Sequence, residues 1–599
     1  MHRTLLILGS LLSAACAVHV PAAAPLPALP PIELMAAPDI TWPAPVLSPT
    51  VNLRLLLASL SLRDKVAQVV MPWIPGNYSA FDDSTFSVVE RWVDSLHVGG
   101  IIVSIGSPMD IAGKLNRLQR LAPLPLLVAS DLEAGTAFRL NGGTAFPTNM
   151  GVGATGSELD AYEMGRITAL EGRAIGVHLD FAPVADVNNN PANPIINTRS
   201  FGEDPARVAR LVAAQVKGLQ EHGMLATAKH FPGHGDTGTD SHISLPVIRA
   251  DWARLDSLEL VPFRAAIRAG VTAVMSAHIA LPTIDPGQNR PATVAPNILT
   301  GILRDSLHFQ GLIVTDALGM GAMVSSYGGG EAAVLAFLAG ADLLLQPADP
   351  AEAINAMVTA VESDRITLSR LDASVLKLLE LKRDMALFGN RLVSLDRVQA
   401  VVGSARFDEI ARDVTERSIV LVKDSAGTVD SLRARARPVT LVAYGDDVGN
   451  VLAADLRNRG YRVATFRLYP SSGPASYDSA RVMLRQNTIS LFVTAVRATA
   501  WSGNIGLPSA FSSLMDSTAR ERRTVMISFG SPYLIAATPG IGSYLLGWQS
   551  KPISERAMGA ALAGAAPITG TLPITIPMGG PLGYGIRRES PRPPTVSRH

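Results

Sequence analysis

Met224-Leu-Ala-Thr-Ala-Lys-His-Phe-Pro-Gly-His-Gly-Asp-Thr-Gly-Thr-Asp-Ser-His242 joins a short apolar run to a loop crowded with ionisable side chains. The fourteen residues from Lys229 hold three histidines, two aspartates and a lysine, with three glycines and a proline. Glycine and proline keep such a segment out of a helix interior. A core strand does not tolerate so many ionisable groups unpaired. The run therefore reads as a buried strand, and the rest as an ordered loop carrying proton-transfer and hydroxyl-binding groups. Such a loop is an active-site candidate.

The same arrangement recurs along the chain. Asp131 follows Leu-Leu-Val-Ala-Ser130, Asp186 follows Phe-Ala-Pro-Val-Ala185, His278 follows Val-Met-Ser-Ala277, and Asp316 follows Leu-Ile-Val-Thr315. Eight apolar runs, at 66–73, 100–105, 124–130, 178–184, 224–229, 272–277, 312–315 and 342–345, alternate with amphipathic stretches such as 158–175, 205–221 and 251–269. Most runs are continuous rather than alternating, as expected for parallel strands buried on both faces. Ionisable groups at the ends of successive strands converge on one mouth in a (β/α)₈ barrel. Residues 51–390 are accordingly expected to form a TIM-type (β/α)₈ barrel, with a doubly wound open sheet as the alternative. A long helix at 368–387 and a connector at 391–412 lead to a second α/β pattern over 413–586. Its strands are expected at 439–444, 462–467, 488–493, 524–529 and 543–548, in a smaller sandwich of helices on a parallel sheet. The Pro/Arg/Ser-rich tail, 587–599, reads as disordered.

Apolar residues are 47% of the 599 and charged residues 17%, enough to bury large cores. Lys and Arg number 52 against 51 Asp and Glu, with no basic stripe, which argues against nucleic acid as a partner. Residues 1–25 read as an export signal: His2 and Arg3 precede the run Leu5-Leu-Ile-Leu-Gly-Ser-Leu-Leu12, which ends in small residues. The run is too short for a stable membrane anchor. Cys16, the single cysteine, is either a lipid-modified cleavage site or is discarded with an ordinary signal. Only such a lipid would tie the chain to a membrane. The expected location is exported: periplasmic, a cell-envelope lipoprotein, or secreted. Residues 26–50 are a Pro/Ala-rich linker.

With these residues in view, the chain resembles glycoside hydrolase family 3, in its bacterial β-N-acetylglucosaminidase branch. Lys229-His-Phe-Pro-Gly-His-Gly-x₄-Asp-Ser-His242 is similar to that branch's signature. Asp131-x-Glu-x-Gly135, Asn197-Thr-Arg-Ser-Phe-Gly-Glu-Asp-Pro205 and Val314-Thr-Asp-Ala-Leu-Gly-Met320 support it. Weaker matches reach the second domain, at Arg417-Ser-Ile-Val-Leu-Val-Lys423 and Gly570-Thr-Leu-Pro-Ile-Thr-Ile-Pro577. The resemblance implies that Asp316 is the nucleophile, His242 the general acid/base and Asp240 its partner. It implies that Asp131, Arg139, Arg199, Lys229 and His230 bind sugar hydroxyls, and that no cofactor or metal takes part. The family commonly shows Asp-Gln-Glu-Gly-Gly-Arg where this chain has Asp131-Leu-Glu-Ala-Gly-Thr136.

The chemistry suits these groups. A glycosidic bond breaks through an oxocarbenium-like transition state that needs a proton for the leaving oxygen and a negative group at the anomeric carbon. A histidine exchanges protons near neutrality, and a carboxylate on its other nitrogen sets its tautomer. Blander readings stand beside this one. Asp316 is also a helix-cap type. Lys229 and His230 are also a candidate buried pair. His234, between two glycines, reads as structural, Asp186 and His278 are undecided, and Met275, Met320 and Met323 read as packing. His230, His234, Asp236, Asp240 and His242 as metal ligands are disfavoured, because Pro232-Gly233 forbids the helix that would align them. The function expected is a retaining exo-β-N-acetylglucosaminidase acting on cell-wall or chitin-derived glycans. A phosphorylase or a β-glucosidase of the same family is the alternative, and a non-catalytic sugar-binding lipoprotein a weaker one.

Overall fold

The structure, a computed structural model, describes residues 51–590 apart from Phe81, 287–288 and 498–505. The export signal with Cys16, the linker and the tail from 591 lie outside the described residues.

Seven parallel strands pair in chain order: Trp73–Pro75, Gly100–Ser104, Leu127–Ser130, Leu179–Asp180, Leu225–Phe231, Ala273–Ser276 and Leu312–Val314. An eighth closes the ring. Val314 bridges Leu343 in parallel, and Leu344–Leu345 pairs in parallel with Val70–Met71, just ahead of Trp73–Pro75. The last strand thus returns to the first, and the sheet is a barrel rather than an open doubly wound sheet. Gly100–Ser104, Leu127–Ser130 and Ala273–Ser276 are buried at every position, which is why these runs show no alternation.

The helices begin where side chains satisfy their first N–H groups. Ser107 and Ser157 cap Pro108–Leu121 and Glu158–Ala174, and Asp204 caps Pro205–Gln220 with proline in its first turn. Three expected boundaries moved. Residues 62–68 are helical, Leu62–Gln68 capped by Ser61, so the first strand starts at Val70 rather than 66. The fourth strand is only Leu179–Asp180, because Pro183 has no N–H to give a ladder. The helix expected at 251–269 is two, Trp252–Ser257 and Leu260–Arg268, with Pro262 in the first turn of the second.

The segment expected as a connector is itself helical over Leu395–Val401 and Ala405–Ser418. Beyond it lies a six-stranded sheet in the order Val420–Asp424, Ser543–Leu546, Arg523–Ser528, Ile489–Thr494, Val439–Tyr444, Val463–Leu468. All neighbours are parallel except the edge strand Val420–Asp424, which runs antiparallel to Ser543–Leu546. That edge strand was not among the five expected. Apolar clusters fill both faces of the sheet, and Met150 and Ala154 of the barrel belong to one of them. The domains also meet through Asn188 Nδ2, which donates to Tyr533 Oη at 2.9 Å, and Glu203 N, which donates to the Pro573 carbonyl at 3.0 Å. The tail expected to be loose from 587 is anchored at its start. Arg588 exchanges backbone hydrogen bonds with Ile568 and ion-pairs with Asp430. Among the described residues no helix is long and apolar enough to cross a membrane.

Candidate active site

The barrel brings the five strand ends to one mouth. Lys229 Nζ lies 2.8 Å from Asp131 Oδ1 and 2.8 Å from Glu133 Oε1. Arg199 clamps Glu133 at two points, Nε to Oε2 at 3.0 Å and Nη2 to Oε1 at 2.8 Å. Arg139 stands 3.8 Å from Asp131 and is more exposed. The Lys229 and Glu133 side chains are each only 2% exposed, so neither charge survives there without the other. Burial pushes the Glu133 carboxyl up, but Arg199 and Lys229 overrule it and hold the group well below the usual carboxylate range. Burial likewise opposes the charge on Lys229, and Asp131 and Glu133 raise its pKa above the ordinary lysine value. The result is a rigid set of donors and acceptors facing the mouth.

Asp186 organises the neighbouring strand end. Its carboxylate takes the backbone N–H of His230 at 3.2 Å and of His234 at 2.6 Å, and Oδ2 meets His230 Nδ1 at 2.7 Å. A carboxylate only accepts, so His230 carries its hydrogen on Nδ1 and turns Nε2 toward Arg199 Nη2, 3.4 Å away. His234 is buried between Thr237 Oγ1 at 2.7 Å and Ser241 Oγ at 3.1 Å, and burial lowers its pKa to about 4. It stiffens the loop as a neutral ring. Asn193 holds the loop from outside, donating to the His234 and Gly235 carbonyls at 2.9 Å each.

At the loop's far end His242 Nδ1 meets Asp240 Oδ1 at 2.8 Å, and the same oxygen accepts the His242 backbone N–H at 2.9 Å. The Asp240 side chain is fully buried and the His242 ring is partly exposed. The loop is laid on the segment just beyond Asp316. Ala322 N donates to the Ser241 carbonyl, and a Cβ added at Gly321 would come within 2.4 Å of the His242 carbonyl oxygen. Only glycine allows that approach.

Asp316 caps no helix; its Oδ1 accepts the N–H of Ala317 at 2.7 Å. Burial favours its neutral form, but His278, His230, the Ala317 N–H and His242 outweigh that and lower its pKa to about 2. His278 is fixed by Thr293 Oγ1 at 2.8 Å and by the Ala317 carbonyl, to which Nε2 donates at 2.9 Å. Asp316 is therefore an ionised carboxylate ringed by imidazoles. Met275, Met320 and Met323 are buried packing.

All eight residues singled out from the sequence thus lie at the barrel mouth or on the loops above it. The reading missed Glu133 as a partner, although it stands inside the motif Asp131-x-Glu. It also missed Glu171, a buried carboxylate that accepts from Thr144 N at 3.0 Å, Thr144 Oγ1 at 2.6 Å, Gly403 N at 2.7 Å and the Thr136 hydroxyl. Thr136, one of the three departures from the family pattern, anchors the loop carrying Arg139 through this carboxylate. Nothing in the local sequence marked Glu171, because its partners lie far away in the chain. Among the described residues no group of three or more His, Asp or Glu is arranged to hold a metal ion.

Residues 61–381 match the family model described as glycosyl hydrolase family 3 N terminal domain. A β-N-acetylglucosaminidase/β-glucosidase of Cellulomonas fimi is 30% identical over 501 residues, covering 80% of this chain and 88% of that protein. The solved structure of a glycoside hydrolase family 3 β-N-acetylglucosaminidase from Paenibacillus sp. FPU-7 superposes with a TM-score of 0.78 at 34% identity, covering 87% of this chain and all of the other. A β-glucoside phosphorylase structure gives 0.79 at 26% identity, over 88% of this chain and 96% of that one.

Proposed function

The chain belongs to glycosyl hydrolase family 3, and from that premise we propose that it is a retaining exo-β-N-acetylglucosaminidase with Asp316 as nucleophile. The observation carrying this reading is the pairing of an ionised Asp316, surrounded by imidazoles, with a buried Asp240 that orients His242. The preference for a 2-acetamido sugar is supported by the names of the Cellulomonas and Paenibacillus relatives.

Asp131, Arg139, Arg199, Lys229 and His230 hold the terminal sugar by its hydroxyls. The paired charges of Lys229 and Arg199 keep these groups in place before substrate arrives, so little reorganisation is needed. His242 bears its ring hydrogen on Nδ1, toward Asp240, so Nε2 exchanges a proton with the leaving oxygen. As that oxygen accepts the proton, an Asp316 oxygen attacks the anomeric carbon. The glycosidic C–O bond breaks and a glycosyl-aspartate forms. His242 then takes a proton from water, which displaces Asp316 from the sugar. Asp240 stabilises the imidazolium, as the carboxylate does in a Ser-His-Asp triad.

Replacing Asp316 by Asn is expected to remove detectable hydrolysis of an aryl N-acetylglucosaminide, and a mechanism-based fluoro-sugar inactivator that keeps the 2-acetamido group to label the peptide containing Asp316. Near-wild-type rates, or a label elsewhere, reject the assignment. A second reading, phosphorolysis, is favoured by the similarity to the β-glucoside phosphorylase. It predicts a sugar phosphate as the main product in phosphate buffer, where hydrolysis gives the free sugar. The apolar run at Leu5–Leu12 supports export, and cell-wall or chitin fragments are the substrates such a location offers.

A further inference from the structure

Asp180 ends the fourth barrel strand, is wholly buried, and touches neither the sugar nor the reacting atoms in the proposed reaction. Its Oδ1 accepts the backbone N–H of Leu132 at 2.8 Å. Leu132 is the residue between Asp131 and Glu133, the two carboxylates that hold Lys229. Oδ2 is buried and has no hydrogen-bond partner among the described residues. The charged groups facing Asp180 are Lys229, from the strand on one side, and Asp131 and Glu133, from the loop beyond the strand on the other.

From this geometry we propose that Asp180 is a positioning residue that works with its proton on. It pins the Leu132 N–H so that Asp131 and Glu133 face Lys229, and when it ionises it keeps that bond but sets a third negative charge beside the two carboxylates. An ionised carboxylate with one buried oxygen unpartnered by the surrounding protein groups, beside two other carboxylates, is strongly disfavoured. Lys229 is the cation that faces it, and it already serves Asp131 and Glu133. The proton therefore stays on Asp180 through neutrality; burial raises its pKa to about 8. Above that pH a third negative charge competes for Lys229 and loosens the sugar-binding floor. The charge state of one residue behind the site thus sets an alkaline limit separate from the proton on His242.

The inference rests on the function proposed above through the sugar-binding role of Asp131 and Lys229 and through the identity of the sugar. The test compares wild type, Asp180→Ala and Asp180→Asn across about pH 6 to 10, with the aryl glycoside the wild type hydrolyses best. Its leaving group is chosen to depart without a proton, so that His242 does not limit the rate. Asp180→Ala is expected to lose about tenfold in kcat/KM, carried by KM, because the Leu132 N–H is left unheld. Asp180→Asn keeps the acceptor without the charge, so it is expected to recover most of that loss. Wild type is expected to lose kcat/KM as pH passes about 8, and the Asn variant to have that limb abolished or moved by more than about one unit. An Asn variant as damaged as Ala, or one with an unmoved alkaline limb, overturns the proposal. Failure of wild type to act on N-acetylglucosaminides, with activity on another glycoside, overturns only the substrate assignment.

Discussion

Glu133 and Arg199 form a two-point ion pair at 3.0 and 2.8 Å, and Glu133 also holds Lys229 at 2.8 Å. One carboxylate therefore balances two cations that face the mouth of the barrel. Removing it leaves Lys229 with Asp131, and Arg199 with Asp186 and Asp131. Glu133→Gln is expected to destabilise the fold by about 3 kcal/mol, the usual penalty for breaking a buried pair by one partner. It is also expected to raise KM more than it lowers kcat. Denaturant unfolding alongside steady-state kinetics checks both; an unchanged midpoint would show that the pair contributes nothing net.

His242 donates a proton that matters most when the leaving group is poor. His242→Ala is expected to lower kcat/KM by about 10²–10⁴-fold for a chitobiose-type substrate. The loss should shrink toward unity for an aryl group that leaves unaided. A loss independent of the leaving group would mean that the ring serves only to shape the loop.

Asp240→Asn keeps the shape but offers His242 an amide in place of a carboxylate. The imidazolium is then less stabilised, and the amide can turn its NH₂ toward Nδ1 and reverse the tautomer. The expected phenotype is the leaving-group dependence of His242→Ala at a similar magnitude. Wild-type behaviour in a leaving-group series would remove Asp240 from the mechanism.

The Asp316 carboxyl has a pKa of about 2, because His278, His230, the Ala317 N–H and His242 outweigh the effect of burial. Its ionised form, the nucleophilic one, persists above that value and is lost only as pH falls through it. Inactivation by a fluoro sugar with a good leaving group is thus expected to stay level from pH 7 down to about 5. A decline across that span with the Asp316 site still folded would place the nucleophile elsewhere.

Lys382 lies buried at the other end of the barrel, where its Nζ donates to Gln68 Oε1 at 2.7 Å. Burial lowers its pKa from 10.5 to about 7. Between those values the unfolded chain binds a proton that the folded chain does not, so stability rises with pH across that window. Below about 7 both states hold the proton, and the cost of a buried cation is fully present. Lys382→Met is accordingly expected to raise Tm relative to wild type by more at pH 6 than at pH 9.5. An equal change at both pH values would show that the lysine is charged, or neutral, throughout.

The histidine loop and the strand ends were legible in the sequence because their signals are local. Apolar runs without alternation announce strands covered on both faces, and glycine and proline beside titratable groups announce a loop. The same logic failed where a distant partner decides the outcome. Val420–Asp424 is a strand because it lies along Ser543–Leu546, more than a hundred residues later. The apolarity of 66–69 suits a strand, yet Ser61 caps a helix that runs through Gln68.

By itself the sequence determined that parallel strands alternate with helices and that Asp131, Asp186, Lys229, His230, His278 and Asp316 stand where strands end. It also determined that His242 follows Asp240 by two residues, close enough to share a hydrogen bond. Only the tertiary structure decided that Val70–Met71 meets Leu344–Leu345 and closes the ring. Only it decided that Glu133 carries Arg199 and Lys229, and that Asp180 stands behind them with a buried oxygen that no described residue partners. The reason is physical: the cost of a buried charge depends on which groups are brought within a few ångströms of it, and chain folding, not chain order, sets that distance.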